Sequence, residues 1–250
     1  MDTAKPLPAP VVYPETDDMG EHELQRYIAE LLRPLLERWL GEQRRVAHAG
    51  ADQFFYWVQG DPGRRRAPDV YVIDGVAQDI PEVASWKTWE GHCPTFALEI
   101  VGDDWKKDYE EAPADYGALG TRELVVFDPW ATGRSKKRLR WQVWRRVARR
   151  GLVRVEATQG DRVESRALGC WLRAVAERGH TRLRLATGPQ GEALVPTEGE
   201  RLAQEAAAAQ VARAQAASAE VKAQSAEAEV ARLRARLAEI EGGLSGERGR

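Results

Sequence analysis

Pro68-Asp69-Val70-Tyr71-Val72-Ile73 and Phe96-Ala97-Leu98-Glu99-Ile100-Val101 are two apolar runs that each carry one carboxylate. Short runs of this kind, bounded by Gly and Pro, read as β-strands. A carboxylate inside an apolar strand is costly to bury unless it is paired or bound to a metal ion. Two of them on neighbouring strands suit Mg²⁺, a hard cation that takes one or two carboxylates, a carbonyl, waters and substrate phosphate. Such a site serves phosphodiester hydrolysis, where the ion activates water and offsets charge on phosphorus. The two runs alone leave other readings open: Asp69 merely begins a strand, and Glu99 pairs with an arginine.

Around these runs the period of two persists. Residues 53–59 and 123–127 read as further strands. Leu139, Trp141 and Val143 alternate with Arg140, Gln142 and Trp144 before the chain turns at residues 149–151 into a second strand, an antiparallel hairpin with one polar face. Upstream, Leu24, Tyr27, Ile28, Leu31, Leu32, Leu35, Leu36, Trp39 and Leu40 form the apolar stripe of an amphipathic helix, which Pro34 is expected to kink rather than stop. A short helix is expected around Tyr109 to Leu119. A helix followed by a mainly β stretch gives an α/β (α+β) core of about 170 residues.

With 43% hydrophobic and 30% charged residues, the chain is neither collagen-like, membrane-spanning nor wholly disordered. Its net charge of −2 gives no bulk attraction to nucleic acid or membrane, so such a partner must meet a local patch. Cys93 and Cys170 are too few for a disulfide framework and lack zinc-site spacing, which reads as reduced thiols in the cytoplasm. The Pro-rich, acidic residues 1–19 do not read as a signal peptide. His22, His48, His92 and His180 show no metal-ligand spacing, and no glycine fingerprint for a nucleotide appears.

Residues 200–241 contain no Gly or Pro and are rich in Ala, Glu, Gln and Arg, so they read as one long helix, with Thr197 and Glu200 resembling a capping box. Heptads counted back from Ile240 through Leu237, Leu233 and Val230 give a coiled-coil seam and an expected homo-oligomer. The expected organisation is a leading segment 1–19, a folded domain 20–187, a linker 188–199, the helix 200–241 and a flexible tail 242–250. Charge is unevenly spread: residues 132–184 carry sixteen Lys and Arg against four acids. Arg140, Arg146 and Arg154 share the outward parity of the hairpin, and Arg64, Arg65 and Arg66 precede a strand. These six are the candidate phosphate-facing residues, set against the alternative of a solvated face.

The run Tyr13-Pro14-Glu15-Thr16-Asp17-Asp18-Met19, residues 56–62, the two acid-bearing runs, Trp89-Glu90-Gly91 and residues 120–129 resemble, in order and spacing, the Uma-type restriction endonuclease family of the PD-(D/E)XK nuclease superfamily. The resemblance covers residues 13–175. It implies a restriction-endonuclease-like core with a central mixed β-sheet flanked by helices, and DNA as substrate. Asp69 would be the acid of the PD motif and Glu99 the second acid, both ligating Mg²⁺ (or Mn²⁺) with the carbonyl of Ile100. Glu21 matches the acidic position of the first helix and would join the metal ligands, set against the alternative of an acid that complements the helix N-terminus. The chain also departs from the pattern. The superfamily lysine two residues after the second acid is Val101 here. The family pattern of Asp, three residues, Lys, three residues, Tyr, aligned on Asp108 and Tyr116, leaves Ala112. Pro113 follows and biases Ala112 toward extended geometry. Gly102 stands for a serine and Gln25 for a histidine. Lys106 or Lys107, and beyond them Lys87, are the expected sources of the missing cation. The expected function is a metal-dependent DNA endonuclease. The alternative is a non-catalytic nuclease-fold module that binds nucleic acid or a protein and assembles through the C-terminal helix.

Overall fold

The computed structural model describes residues 23–247 except 81–82, 103–104, 135–136 and 178. Glu21 and residues 13–19 lie outside the described residues. The chain divides into two units at residues 195 and 196.

In the first unit α1 (Glu23–Glu42) leads to β1 (Ala47–Gly50), β2 (Phe54–Tyr56), β3 (Arg65–Arg66), β4 (Val70–Asp74), β5 (Ser85–Lys87) and β6 (Phe96–Ile100). A π-helical turn at Lys107–Glu111 runs into α2 (Ala112–Leu119). Then come β7 (Glu123–Phe127), β8 (Trp141–Val147), β9 (Gly151–Thr158), β10 (Arg162–Ser165), β11 (Cys170–Glu177), β12 (His180–Thr187) and β13 (Ala193–Leu194). The central mixed sheet has the order β1-β4-β6-β7-β8-β9, parallel only between β6 and β7. Smaller sheets follow the orders β10-β11-β12-β13 and β3-β2-β5.

Side-chain alternation gives the central sheet two covered faces. Val70, Val72, Leu98, Ile100, Val125 and Phe127 share one core with Ile28, Leu32 and Leu36 of α1 and with Leu172, Leu183 and Leu185 of the β10–β13 sheet. Tyr71, Ala97, Val101, Leu124 and Val126 face the other way, against Phe55, Trp86 and the α2 residues Ala112, Tyr116 and Leu119. Asp69 and Glu99 have the parity of this second set, so both acids belong to the α2 face.

The α1 stripe is as expected at Ile28, Leu32, Leu35, Leu36 and Leu40, all buried, with Pro34 inside the helix; Tyr27 falls outside it. Three expectations need correction. Ala112 is helical, at φ −52° and ψ −45°, because Pro113 occupies the first turn of α2 and the preceding turn is widened, with the Ala112 N–H donating to the Lys107 carbonyl. The hairpin of β8 and β9 has a bulge beside Val143 and Trp144, so simple alternation fails along it. Finally, Ala193–Leu194, expected in a linker, pairs with β12.

The second unit is α3 (Glu198–Glu247), longer than the expected 200–241 and continuous through Gly242 and Gly243. The capping box is formed: the Thr197 N–H donates to Glu200 Oε2 at 2.8 Å and the Glu200 N–H to Thr197 Oγ1 at 3.3 Å. Residues 202–237 are all exposed. No helix among the described residues is long and apolar enough to cross a membrane.

One close approach locks β1 onto β4. Gly50 lies opposite Tyr71, whose ring crosses it to donate a hydrogen bond to Gln53 Oε1 and accept one from Trp86 Nε1. A Cβ at Gly50 would fall within this ring. Gly50→Ala is therefore expected to cost about 1–3 kcal/mol, measured by urea denaturation; an unchanged midpoint would show that Tyr71 has another place to go.

Candidate active site

Asp69 and Glu99 meet at the end of the β4 and β6 pair. The last paired residues are Val70 and Leu98, so one step beyond brings Asp69 beside Glu99. The Ile100 N–H donates to Asp69 Oδ2, fixing that carboxylate. Glu99 is 5% exposed. Its Oε1 accepts from Arg66 Nε at 2.9 Å and from the Tyr116 hydroxyl at 2.7 Å. Arg66 also reaches Asp108 Oδ1 through NH2 at 3.3 Å and Asp115 Oδ2 through NH1 at 3.6 Å.

Local geometry explains why Arg66 turns inward from a run of three arginines. It lies opposite Phe55 in the antiparallel β2 and β3 pair, and directly opposed residues point to the same side. Phe55 faces the core, so Arg66 does too. Arg65 points the other way and covers the Phe54 ring at 4.8 Å, while exposed Arg64 lies 3.9 Å from Asp61. On the helix side, the Tyr109 hydroxyl lies 2.9 Å from Asp128 Oδ2 and 2.8 Å from the Leu139 carbonyl, two acceptors for its one proton, and accepts from the Leu139 N–H at 2.9 Å. Arg138 closes on the fully buried Asp128 at 2.6 Å. That anchor holds the π turn, and with it Asp108, against the sheet.

These acids crowd one another. Loss of solvent, then the charge of Glu99, raises Asp69 well above the ordinary carboxylate range. The same two causes push Asp108 up to about 7, against the pull of Arg66. Burial, then Glu99, also raises the Tyr116 phenol, so Tyr116 remains a hydrogen-bond donor. Burial opposes the Arg66 charge, but Glu99, Tyr116 and Asp108 outweigh it.

The family described as "Uma2: Putative restriction endonuclease" matches residues 16–176. This chain belongs to that family. A crystal structure of "a putative nuclease belonging to DUF820" from Anabaena variabilis ATCC 29413 is similar at 16% identity and a TM-score of 0.40, over 60% of this chain and 76% of that one. No curated protein matches the chain.

As a member of the Uma2 family the chain has both expected acids together, but the cation beside them is unexpected. Arg66 was assigned to a phosphate-facing surface; it is 7% exposed and ion-paired inside the acid cluster. Val101 and Ala112 are buried apolar residues of the α2-side core. Lys106 is exposed, and among the described residues neither Lys106 nor Lys107 pairs with Asp69 or Glu99. Gln25, in the position of the family histidine, donates through Nε2 to the Ile100 carbonyl at 2.5 Å. A Cβ at Gly102 would lie 3.2 Å from that nitrogen, so the glycine leaves room for the glutamine amide. Arg140 donates to the Ala131 carbonyl, and Arg154 to Gln142 Oε1 while covering the Trp144 ring at 5.6 Å. Arg146 spans the carbonyls of Thr121 and Gly117. Asp115, which the sequence reading missed, lies three residues after Ala112 and one before Tyr116, a helical spacing that could have flagged it.

Among the described residues no three His, Cys, Asp or Glu side chains gather as a ready metal site. The donor set nevertheless suits a divalent ion completed by water and phosphate. The hydrogen bonds to Glu99 fall on Oε1 and that to Asp69 on Oδ2. Glu99 Oε2 and Asp69 Oδ1 are the oxygens left to a cation, and the Ile100 carbonyl keeps a second lone pair beyond Gln25.

The acid crowding has a measurable sign. Unfolded Asp108 titrates near 3.8 and folded Asp108 near 7, so the native state holds the extra proton between these values and loses stability as pH rises through them. Asparagine does not titrate. The melting temperature of Asp108→Asn relative to wild type is therefore expected to increase from near pH 5 to near pH 8 without metal; a constant difference would show that Asp108 is not strained by its neighbours.

Proposed function

We propose that this protein is a divalent-metal-dependent DNA endonuclease, with Asp69 and Glu99 holding Mg²⁺ (or Mn²⁺) together with the Ile100 carbonyl. The observation that carries this reading is the placement of both carboxylates side by side on one face of the sheet, under-compensated by the single guanidinium of Arg66. When bound, a divalent ion supplies Lewis-acid stabilisation to the phosphate and lowers the pKa of a water. The chain's own residues do the rest. Ile100 N–H holds Asp69, Tyr116 and Arg66 hold Glu99 Oε1, and the second oxygen of each carboxylate would serve the cation. Arg64 and Arg65 lie on the turn and strand next to Arg66 and are the best placed of the candidate arginines to meet a DNA backbone near the site. The free thiols of Cys93 and Cys170, both raised above the ordinary thiol value by burial, fit a reducing cytoplasm.

A second reading is favoured by one observation: among the described residues neither Lys106 nor Lys107 pairs with Asp69 or Glu99. In that reading the fold binds metal and nucleic acid, or a protein partner, without cutting. The same assay separates the two. Purified full-length protein is expected to nick supercoiled plasmid with Mg²⁺ or Mn²⁺ and not with EDTA. Glu99→Ala should reduce nicking by about 10²-fold or more. Equal cutting by the variant would remove the assignment, and metal and DNA binding with no cutting by wild type would establish the second reading.

We also propose that α3 pairs with α3 of a second copy. Leu202, Val230, Leu233 and Leu237 are 46–59% exposed along it, and the last three follow coiled-coil spacing. Light scattering should find an oligomer for the full chain and a monomer for Leu233→Glu/Leu237→Glu; the same mass for both would exclude the seam.

A further inference from the structure

Glu99, Asp108 and Asp115 surround the guanidinium of Arg66, and Asp69 lies beside Glu99. Arg66 lies 2.9 Å from Glu99, 3.3 Å from Asp108 and 3.6 Å from Asp115, with Cζ 5.9 Å from the centre of the Tyr116 ring. Three of its four neighbours come from the helical segment that begins at the π turn. Asp108, Ala112, Asp115 and Tyr116 are spaced by four, three and one, which places them on one helical face. Ala112 is at the middle of that face, fully buried, with only a methyl group. The Arg66 side chain, arriving from β3, contacts residues one turn before Ala112 and one turn after it. The guanidinium therefore spans the stretch of helix on which Ala112 sits, and a long side chain at 112 would compete with it.

We propose that Arg66 and Ala112 are a matched pair. Arg66 is the positioning residue that gives the acid cluster its positive charge and holds Glu99 by Oε1, and Ala112 is small so that this charge enters from the strand rather than the helix. The fork of a guanidinium suits the task, because it meets three carboxylates at once where an ammonium is a point charge. The consequence for cutting rests on the nuclease reading above. The pairing itself does not, since it is a statement about charge and volume inside the folded chain.

The test is a cycle of full-length variants: Arg66→Met, Ala112→Lys and the double variant, with Arg66→Lys beside them. Each of the first two is expected to lower the thermal midpoint, one by leaving Glu99 and Asp108 unpaired and the other by crowding the guanidinium with a second cation. The double variant is expected to recover most of the loss, because a lysine from position 112 enters the vacated space. Simple addition of the two losses would overturn the pair. In the plasmid assay Arg66→Met should fall about 10²-fold in kcat and the double variant should regain at least about tenfold. Arg66→Lys keeps the charge and loses the fork, so it should fold with a lowered kcat and an unchanged KM; wild-type kcat for that variant would overturn the positioning role. If wild type does not nick, the nuclease reading fails and the stability cycle still decides whether Arg66 and Ala112 are coupled.

Discussion

Everything around the candidate site answers to one constraint: the Glu99 carboxylate is buried on a face of the central sheet that β4, β6 and β7, Asp69 apart, make apolar. An ion in such a place needs a partner, and removing one from a buried pair typically costs about 3–5 kcal/mol. Two peripheral elements meet that need. β3 is two residues long and brings Arg66; α2 is eight residues long and brings Tyr116. Neither is long enough to be stable by its own backbone bonds. Their positions are instead set by what they donate to Glu99, by Phe55 and Leu119 packing in the same core, and by the Tyr109 to Asp128 anchor. The acid thus organises the α2 side of the sheet at the same time as it forms the site.

The charge distribution follows a related logic. The basic excess of residues 132–184 suggests a surface for anions, yet much of it is used inside the fold. Arg138 neutralises the buried Asp128, and Arg145 pairs with the buried Glu123, which also accepts from Ser165 and ties the central sheet to β10. Arg146 donates to the Thr121 and Gly117 carbonyls near the end of α2, adding to the Gly120 N–H that caps Gly117. Arginine serves well here because one planar group satisfies several acceptors. A count of charges along the chain cannot distinguish such interior use from a phosphate-binding face.

How much of this was legible in the sequence depends on range. The α1 stripe apart from Tyr27, the apolar strands β4, β6 and β7 and the Thr197 cap are local patterns, legible from spacing alone. β3 and β5 have two and three residues and no period to detect. The β10–β13 sheet had a signal that was passed over, since Cys170, Leu172 and Ala174 alternate as buried residues. At the site, the acids were legible because a charge within an apolar run is conspicuous. Arg66 was not, because its direction is decided by pairing with Phe55, eleven residues earlier, and a run of three arginines looks uniformly solvent-facing. The extended geometry expected of Ala112 failed for a similar reason: the rule about residues before proline is local, and a widened π turn, anchored from outside the segment, absorbs the conflict.

The electrostatics of the cluster also bear on what the site is for. A purely structural ion pair would be best served by one acid and one base, and Arg66 with Glu99 would suffice. Here Asp108 and Asp115 are added within reach of the same charge and Asp69 stands beside Glu99, and burial with repulsion from neighbouring acids raises all three above the ordinary carboxylate range. Acids held together against their own repulsion reduce stability unless protons or another cation join them. Asp69 is fixed by the Ile100 N–H at the end of the strand pair, one step from the register that sets it beside Glu99. An arrangement that holds two carboxylates in this way, with one oxygen of each already engaged, supports the proposed metal site, because a cation arriving with its own ligands would offset the crowding that the fold leaves in place.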